Sequence, residues 1–432
     1  MSGGSEQASV VDEQVSMVDD AGAPRHGRLP RHGTGRAYLK LAASVIAVIA
    51  VSAGSVAAFA VIDLVGSLKP SVDLEGEEML EGVPDIGAME GGLNFILVGS
   101  DKRPEDGAFG DPEEESAELN DVTMLLHISQ DHSHVEVVSF PRDLVVPVPD
   151  CIDPENPEGE RLPAMSGVKI NTVLSHGGLG CVASTVSQLT GVQIPLGGIV
   201  EFYGVAALSE AVGGVEVCLA EPVVDEYSGL DLDAGKHAIS GMEALAFLRS
   251  RHGVGDGSDL GRISNQQTFL ASLMRTLQSE GTLGDPVKLY SIAKAVLSNM
   301  TLSSELQNPT QLVAIARMMQ EVDLSKVAFV QYPTVYTEDF ASVEASESAA
   351  IVNAALQADR PVQFDPNAIA GAQFGTVEDP TAPPAEEAPV SEAPAEPTAE
   401  APAEPGAPPE ALPGDVTGQT AAEVRCSSAN QD

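Results

Sequence analysis

Leu93-Asn-Phe-Ile-Leu-Val-Gly-Ser-Asp101, Val122-Thr-Met-Leu-Leu-His-Ile-Ser129 and Val135-Glu-Val-Val-Ser-Phe140 are the segments whose reading decides the fold. The first is a short apolar run closed by a glycine, the pattern of a buried strand that delivers Asp101 to its C-terminal edge. The other two are apolar, β-prone runs joined by the polar turn Gln130-Asp-His-Ser133, which predicts a hairpin.

Working outward, the period changes. Thr172 to Leu189, Phe202 to Val212, Gly241 to Arg249 and Leu260 to Leu277 place apolar residues three and four apart, the helical spacing. The strand-like Val215-Glu-Val-Cys-Leu219 interrupts them. Helical stretches follow at Pro286 to Leu297, Pro309 to Met319 and Ser346 to Ala358, with one more strand at Val327 to Tyr332. Helices interleaved with strands predict an α/β domain over 93–365, a central mixed β-sheet flanked by helices.

Ahead of the domain, Leu41 to Ile62 carries no charge and is long enough for a single transmembrane helix over 41–62. Arg25, Arg28, Arg31, Arg36 and Lys40 precede it without one acid, which predicts a cytoplasmic, disordered basic segment at 1–40 and an extracytoplasmic domain. A cleaved secretory signal is the competing reading, but the apolar run is too long and starts too far into the chain. Residues 63–92 read as a stalk. Residues 366–416, rich in Pro, Ala and Glu, read as an extended, disordered spacer, and 417–432 as a C-terminal segment holding Cys426. Export permits disulfides among Cys151, Cys181, Cys218 and Cys426. Cys151 with Cys181 is the shortest closure and leaves Cys218 for Cys426, so the chain end is expected to be tied back to the domain. A free or intermolecular Cys426 is the alternative.

The formal charge of −42, from 22 Lys and Arg against 64 Asp and Glu, argues against a nucleic-acid partner. In so acidic a chain the placement of the few cations is informative. Arg142 follows a strand in Ser139-Phe-Pro-Arg-Asp143; Arg249 and Arg251 end one helix and Arg262 opens the next, across Gly253-Val-Gly-Asp-Gly-Ser-Asp259. Converging guanidinium forks match the oxygens of a diphosphate, and Asp101 with Asp121 would suit a hard cation. Taken singly, each arginine reads more simply as a surface or structural ion pair, and each aspartate equally well as a turn or cap.

Taken in order, Gly99-Ser-Asp-Lys-Arg103, Asn120-Asp-Val-Thr123, Ser139-Phe-Pro-Arg-Asp143, Lys169-Ile-Asn171, Gly213-Gly-Val-Glu-Val217, Ala244-Leu-Ala-Phe-Leu-Arg-Ser-Arg251 and Asp259-Leu-Gly-Arg262 with Gln266-Gln267 resemble the LytR-CpsA-Psr family, in its actinobacterial form. The resemblance implies a membrane-anchored phosphotransferase that moves a glycopolymer from a polyprenyl-pyrophosphate carrier onto peptidoglycan with Mg²⁺ or Mn²⁺, with pyrophosphate hydrolysis as a side activity. It implies metal ligation by Asp101 and Asp121, and catalysis by Arg142, Arg249, Arg251 and Arg262, with Asp259 as base or arginine orienter. Pyrophosphate binding would draw on Arg103, Arg142, Lys169, Asn171, Arg249, Arg251, Arg262 and Gln266. Two departures stand out: Leu119 and Asn265 occupy positions where the family pattern carries arginine. The alternative is a non-catalytic polyprenyl-phosphate-binding scaffold or sensor, which would keep an apolar slot between the sheet and the helices over Val173 to Leu189 and Phe202 to Val212.

Two further patterns carry less. Ser166-Gly-Val-Lys169 matches the Ser-x-x-Lys signature of penicillin-binding transferases, but its companion motifs are missing. His127, His132 and His134 sit near a hairpin tip and read as solvated.

Overall fold

The computed structural model describes residues 34–77, 92–103, 118–279, 285–365, 376–378 and 409–430. Most of the expected cytoplasmic segment and most of the expected spacer lie outside the described residues. Two units are distinguished, Met1–Phe59 and Ala60–Asp432. The apolar helix α1 spans Thr34–Val65, longer than expected at both ends, and its Tyr38–Val65 portion is long and apolar enough to cross a membrane.

In chain order the strands are β1 (Leu93–Ser100), β2 (Asn120–Ile128), β3 (Val135–Phe140), β4 (Val145–Val148), β5 (Met165–Lys169), β6 (Leu196–Val200), β7 (Val215–Leu219), β8 (Val223–Asp225), β9 (Leu230–Leu232), β10 (Gly235–Ile239), β11 (Met300–Leu302) and β12 (Val327–Gln331), followed by short C-terminal strands. The main helices are α2 (Val173–Thr190), α3 (Phe202–Val212), α4 (Gly241–Arg249), α5 (Asp259–Gln278), α6 (Pro286–Asn299), α7 (Pro309–Glu321) and α8 (Ala349–Gln357).

The main sheet has seven strands in the order β11-β6-β1-β2-β3-β12, closed at one edge by Gly418–Thr420. It is mixed: β1 runs antiparallel to β2 and parallel to β6, and β3 runs parallel to β12. The expected hairpin is β2 paired with β3. Alternation along the strands splits the core between the two faces of the sheet. Ile96, Val98, Leu125 and Val138 pack against Val182 and Val186 of α2 and Val352 of α8. Leu93, Met124, Val135 and Val137 pack on the other side against Met274, Leu297 and Met318. A smaller sheet, β10-β7 extended by Arg425–Ser427 and Thr376–Glu378, carries a third cluster with α4 and α5.

Three expectations need correction. Residues 63–77 are not a free stalk: Leu74 is buried in the first cluster, Leu64 and Leu68 pack on the second, and Val72 bridges to Ser303. The spacer boundary also moves, since Thr376–Glu378 pairs with Arg425–Ser427 and residues 409–416 return to the domain with Leu412 and Val416 buried. Finally, His127 and His134 are buried, not solvated. His127 lies between Asn94 (2.8 Å) and Asp359 (3.0 Å), and His134 against Glu136 (2.9 Å), because the chain after α8 covers the hairpin tip.

Cys151 is bonded to Cys181 and Cys218 to Cys426, the pairing expected from closure length. The second bridge closes a separation of 208 residues, worth on the order of 5 kcal/mol if it acts by restricting the unfolded chain.

Candidate active site

β1 and β2 end and begin at the same edge of the sheet. Asp101 follows the last residue of β1 and Asp121 is the second residue of β2, so two neighbouring antiparallel strands present both carboxylates to one cavity. Gly99 permits this. A Cβ there would lie 2.8 Å from the Cβ of Val122, and the pairing register shifts between Gly99 and Ser100. Asp101 is set by its neighbours, its Oδ1 accepting the Leu119 N–H at 2.7 Å.

The cavity measures about 370 Å³ and lies between this end of the sheet and α3, α4 and α5. Its inner wall is apolar: Leu97, Val122 and Met124 from the sheet, Phe202 and Val205 from α3, Leu245 and Leu248 from α4, and Leu270 from α5. Its polar part gathers Arg103, Arg142, Arg249, Arg251, Arg262 and Gln266 around Asp101 and Asp121. The two helices expected to form an apolar slot therefore separate: α3 lines the cavity, whereas α2 belongs to the core on the opposite face of the sheet.

Asp121 is the electrostatic centre. Arg142 Nη1 donates to its Oδ1 at 2.8 Å, Arg262 Nη1 lies 3.6 Å from Oδ2, and Arg262 Nη2 donates to its backbone oxygen at 2.7 Å. Burial alone would raise the Asp121 carboxyl, but Arg262 and Arg142 outweigh it and hold the group below its ordinary value. Burial lowers Arg249 and Arg251, the latter also repelled by Arg142 and Arg262. The guanidinium of Arg249 lies 4.6 Å from the centroid of Phe202, and Arg251 Nε is buried without a hydrogen-bond partner among the described residues. Several like charges held together in a half-buried cavity suit an anion, because a bound anion would relieve both burial and repulsion.

Asp259 does not line the cavity. Its carboxylate accepts the Arg142 backbone N–H at 3.1 Å and pairs with Arg262 at 2.5 Å, so of its two expected roles the geometry favours orienting arginines. Lys169 and Asn171 are also outside the cavity, contrary to a direct pyrophosphate contact. Lys169 Nζ donates to Asp143 and to the Ala341 oxygen, both at 2.8 Å, and the Asn171 N–H donates to the Arg142 oxygen at 3.2 Å. That motif braces the turn bearing Arg142. Ser166, the would-be acyl nucleophile, does not line this cavity, nor does Lys169. Asn265 is buried, its Nδ2 donating to the Phe247 oxygen at 2.7 Å.

Asp225 was not legible in the sequence. Its Oδ2 accepts from Ser250 Oγ (2.8 Å), the Arg251 N–H (3.0 Å) and the Gly253 N–H (3.2 Å), and its Oδ1 from the Tyr227 N–H (3.0 Å). It fixes the loop that carries Arg251. A lone acid after a short strand gives no signal of this; only a short polar loop downstream with unpaired N–H groups hints at a need for an acceptor.

A divalent cation fits the donor set in one way. Among the described residues no group of three or more His, Cys, Asp or Glu could hold a metal alone, whereas Asp101 and Asp121, two of the four acidic residues that line the cavity with Glu201 and Asp225, suit a hard ion that completes its shell with water and phosphate oxygens.

Residues 68–357 match the LytR_cpsA_psr family. The chain belongs to that family. Among curated relatives it is similar to the cell wall biosynthesis protein LcpA of Corynebacterium glutamicum, 29% identical over 66% of this chain and 59% of that protein. It is also similar to the probable cell wall biosynthesis protein LcpB of the same organism, 31% identical over 49% of this chain and 48% of LcpB. The matches thus span only about half of those relatives' lengths. TagT of Bacillus subtilis, named a polyisoprenyl-teichoic acid–peptidoglycan teichoic acid transferase, is 24% identical over 55% of this chain and 69% of its own. In fold the chain is similar to a LytR-Csp2A-Psr enzyme from Actinomyces oris, with a TM-score of 0.50 and 21% identity over 67% of this chain and 95% of that one.

Proposed function

We propose that this protein transfers a cell-envelope glycopolymer from a polyprenyl-pyrophosphate carrier to peptidoglycan, outside the membrane that α1 spans. One observation carries the reading: a single cavity joins an apolar inner wall, suited to isoprenoid chain, to a cluster of arginines with two carboxylates, suited to a diphosphate. The names of LcpA and TagT support the envelope setting. The arginines before α1 support an N-terminus on the cytoplasmic side.

In the reaction, a peptidoglycan hydroxyl attacks the phosphorus that bears the glycopolymer. A phosphodiester forms, the bridging P–O bond breaks, and polyprenyl phosphate departs, the hydroxyl proton ending on the released phosphate. Arg142 and Arg262, organised by Asp121 and Asp259, hold the diphosphate, while Arg249 and Arg251 neutralise charge on the bridging and leaving oxygens. Phe202 and Val205 bear on the carrier's chain. A divalent cation held by Asp101 and Asp121 would supply further neutralisation of the phosphate oxygens.

The test is to incubate the purified protein with a lipid-linked glycopolymer and peptidoglycan fragments, and to measure polyprenyl phosphate release and polymer attachment. Both should require Mg²⁺ or Mn²⁺, stop with chelator and stop in Asp101→Asn. Diphosphate binding without turnover would overturn the enzymatic reading in favour of a scaffold.

A further inference from the structure

Arg251 enters the cavity from a loop that is poorly suited to hold its shape alone. Gly253-Val-Gly-Asp-Gly-Ser258 contains three glycines, of which Gly255 and Gly257 have φ of 59° and 74°. Such a backbone loses much entropy on ordering and needs partners for its polar groups. Asp225 supplies them on the inner side. The outer side is covered by the far end of the chain, beyond the part that matches the family.

Val254 and Ala429 form an antiparallel bridge. The Gly255 N–H donates to the Ser428 oxygen at 3.1 Å, and the Asn430 N–H to the Gly253 oxygen at 3.0 Å. Asn430 Nδ2 donates to the His252 oxygen at 3.1 Å, and lies 2.9 Å from where a Cβ on Gly257 would sit. The same segment is latched at its other end. Cys426 is bonded to Cys218, the Ala220 N–H donates to the Ser427 oxygen at 2.9 Å, and Ser427 Oγ donates to Asn265 Oδ1 at 2.5 Å. Asn265 in turn holds the Phe247 oxygen, two residues before Arg249. An arginine at 265, which the family pattern would place there, has no acceptor for the Ser427 hydroxyl. The departure at Asn265 and the presence of the segment at 425–430 are two halves of one contact.

From this arrangement we infer that residues 425–430 form a strap that positions the Arg249–Arg251 segment for diphosphate, with Ser427, Asn430 and Asn265 as positioning residues. The inference rests on the proposed diphosphate cavity and adds a part of the chain to it. The strap acts through the loop backbone and touches no substrate.

The experiment uses the full-length protein in detergent, with geranylgeranyl pyrophosphate as probe, and compares Ser427→Ala, Asn430→Ala and the latch-free Cys218→Ser/Cys426→Ser variant. Hydrogen exchange at the Gly253–Gly257 amides, without ligand, should quicken about tenfold in each while the main sheet is unchanged. Probe affinity should fall about five- to twentyfold, and Ser427→Thr, which keeps the hydroxyl, should restore it. In an Arg249→Ala/Arg251→Ala background the strap substitutions should change affinity by less than about twofold, because they act through those two arginines. Unchanged loop exchange, or losses that multiply with the Arg249→Ala/Arg251→Ala pair, would overturn the strap. Should the unsubstituted protein fail to bind the probe, the diphosphate reading falls instead, and the ligand-free exchange still decides whether the strap holds the loop.

Discussion

At the residue scale the cavity is built from groups that suit an anion better than they suit the unliganded fold. Arg251 shows this most clearly: half-buried, close to Arg142 and Arg262, and lowered by burial and by their repulsion. Arg251→Met keeps the apolar stem and removes the charge, so it should raise unliganded stability by about 0.5–2 kcal/mol in urea denaturation while lowering kcat/KM by at least about a hundredfold. Arg142→Ala should cost about 2–4 kcal/mol of transition-state stabilisation, with poor rescue by lysine, which lacks the planar fork. Asp121 behaves in the opposite sense. Its carboxyl is lowered on folding, so its contribution is fully present above the ordinary aspartate value and is lost as pH falls through the lower, folded value. Denaturation measured between pH 2 and 6 should show a shallower acid loss in Asp121→Asn than in the parent. A matching profile in the two proteins would contradict the assignment of Asp121 as the charge centre.

At the element scale the site depends on how closely β1 approaches β2. Gly99→Ala places a methyl 2.8 Å from the Val122 Cβ at the strand end that sets Asp101 and Asp121, so it should cost about 1–3 kcal/mol and reduce turnover. Val122→Gly in the same chain, which removes the Cβ that the methyl meets, should restore much of both, and a double variant no better than Gly99→Ala would show that the strand approach is not what matters. These elements were legible because their cause is local: apolar strands closed by Gly and Pro, and arginines at helix ends. What the sequence could not show arises from contacts between distant segments. Lys169 and Asn171 belong to the motif set yet turn to Asp143 and the Arg142 backbone, since β5 pairs with β4 behind the turn. His127 and His134 flank the polar turn, and the partner that His127 finds in Asp359 lies more than two hundred positions on. Asp225 is one acid among 64 until the fold brings four N–H groups and a serine hydroxyl to it.

At the scale of the whole molecule, the domain extends beyond the boundaries that composition suggests, because both flanks return to pack on it. On the N-terminal side Leu74 is buried, Leu64, Leu68 and Val72 pack against the core clusters, and Asp63 pairs with Lys294 at 2.6 Å. The Val72 N–H also donates to the Leu302 oxygen, and the Glu77 carboxylate accepts from the Leu74 and Glu305 N–H groups. A stalk would contribute none of this, so two truncations separate the alternatives. A chain beginning at Ala60 keeps every one of these contacts and should be soluble, with an unfolding midpoint within about 3 °C of the full-length protein. A chain beginning at Gly92 exposes the surface beneath Leu64, Leu68, Val72 and Leu74 and leaves Lys294 without Asp63. At roughly 25 cal/mol per Å² of apolar area the buried leucine alone accounts for about 2 kcal/mol, and the full loss should be on the order of 5 kcal/mol. Thermal and urea denaturation of the two fragments, made under conditions that keep both disulfides, would measure the difference directly. Equal stability of the two would return residues 63–77 to the role of a stalk, and with it the view that the domain starts at β1.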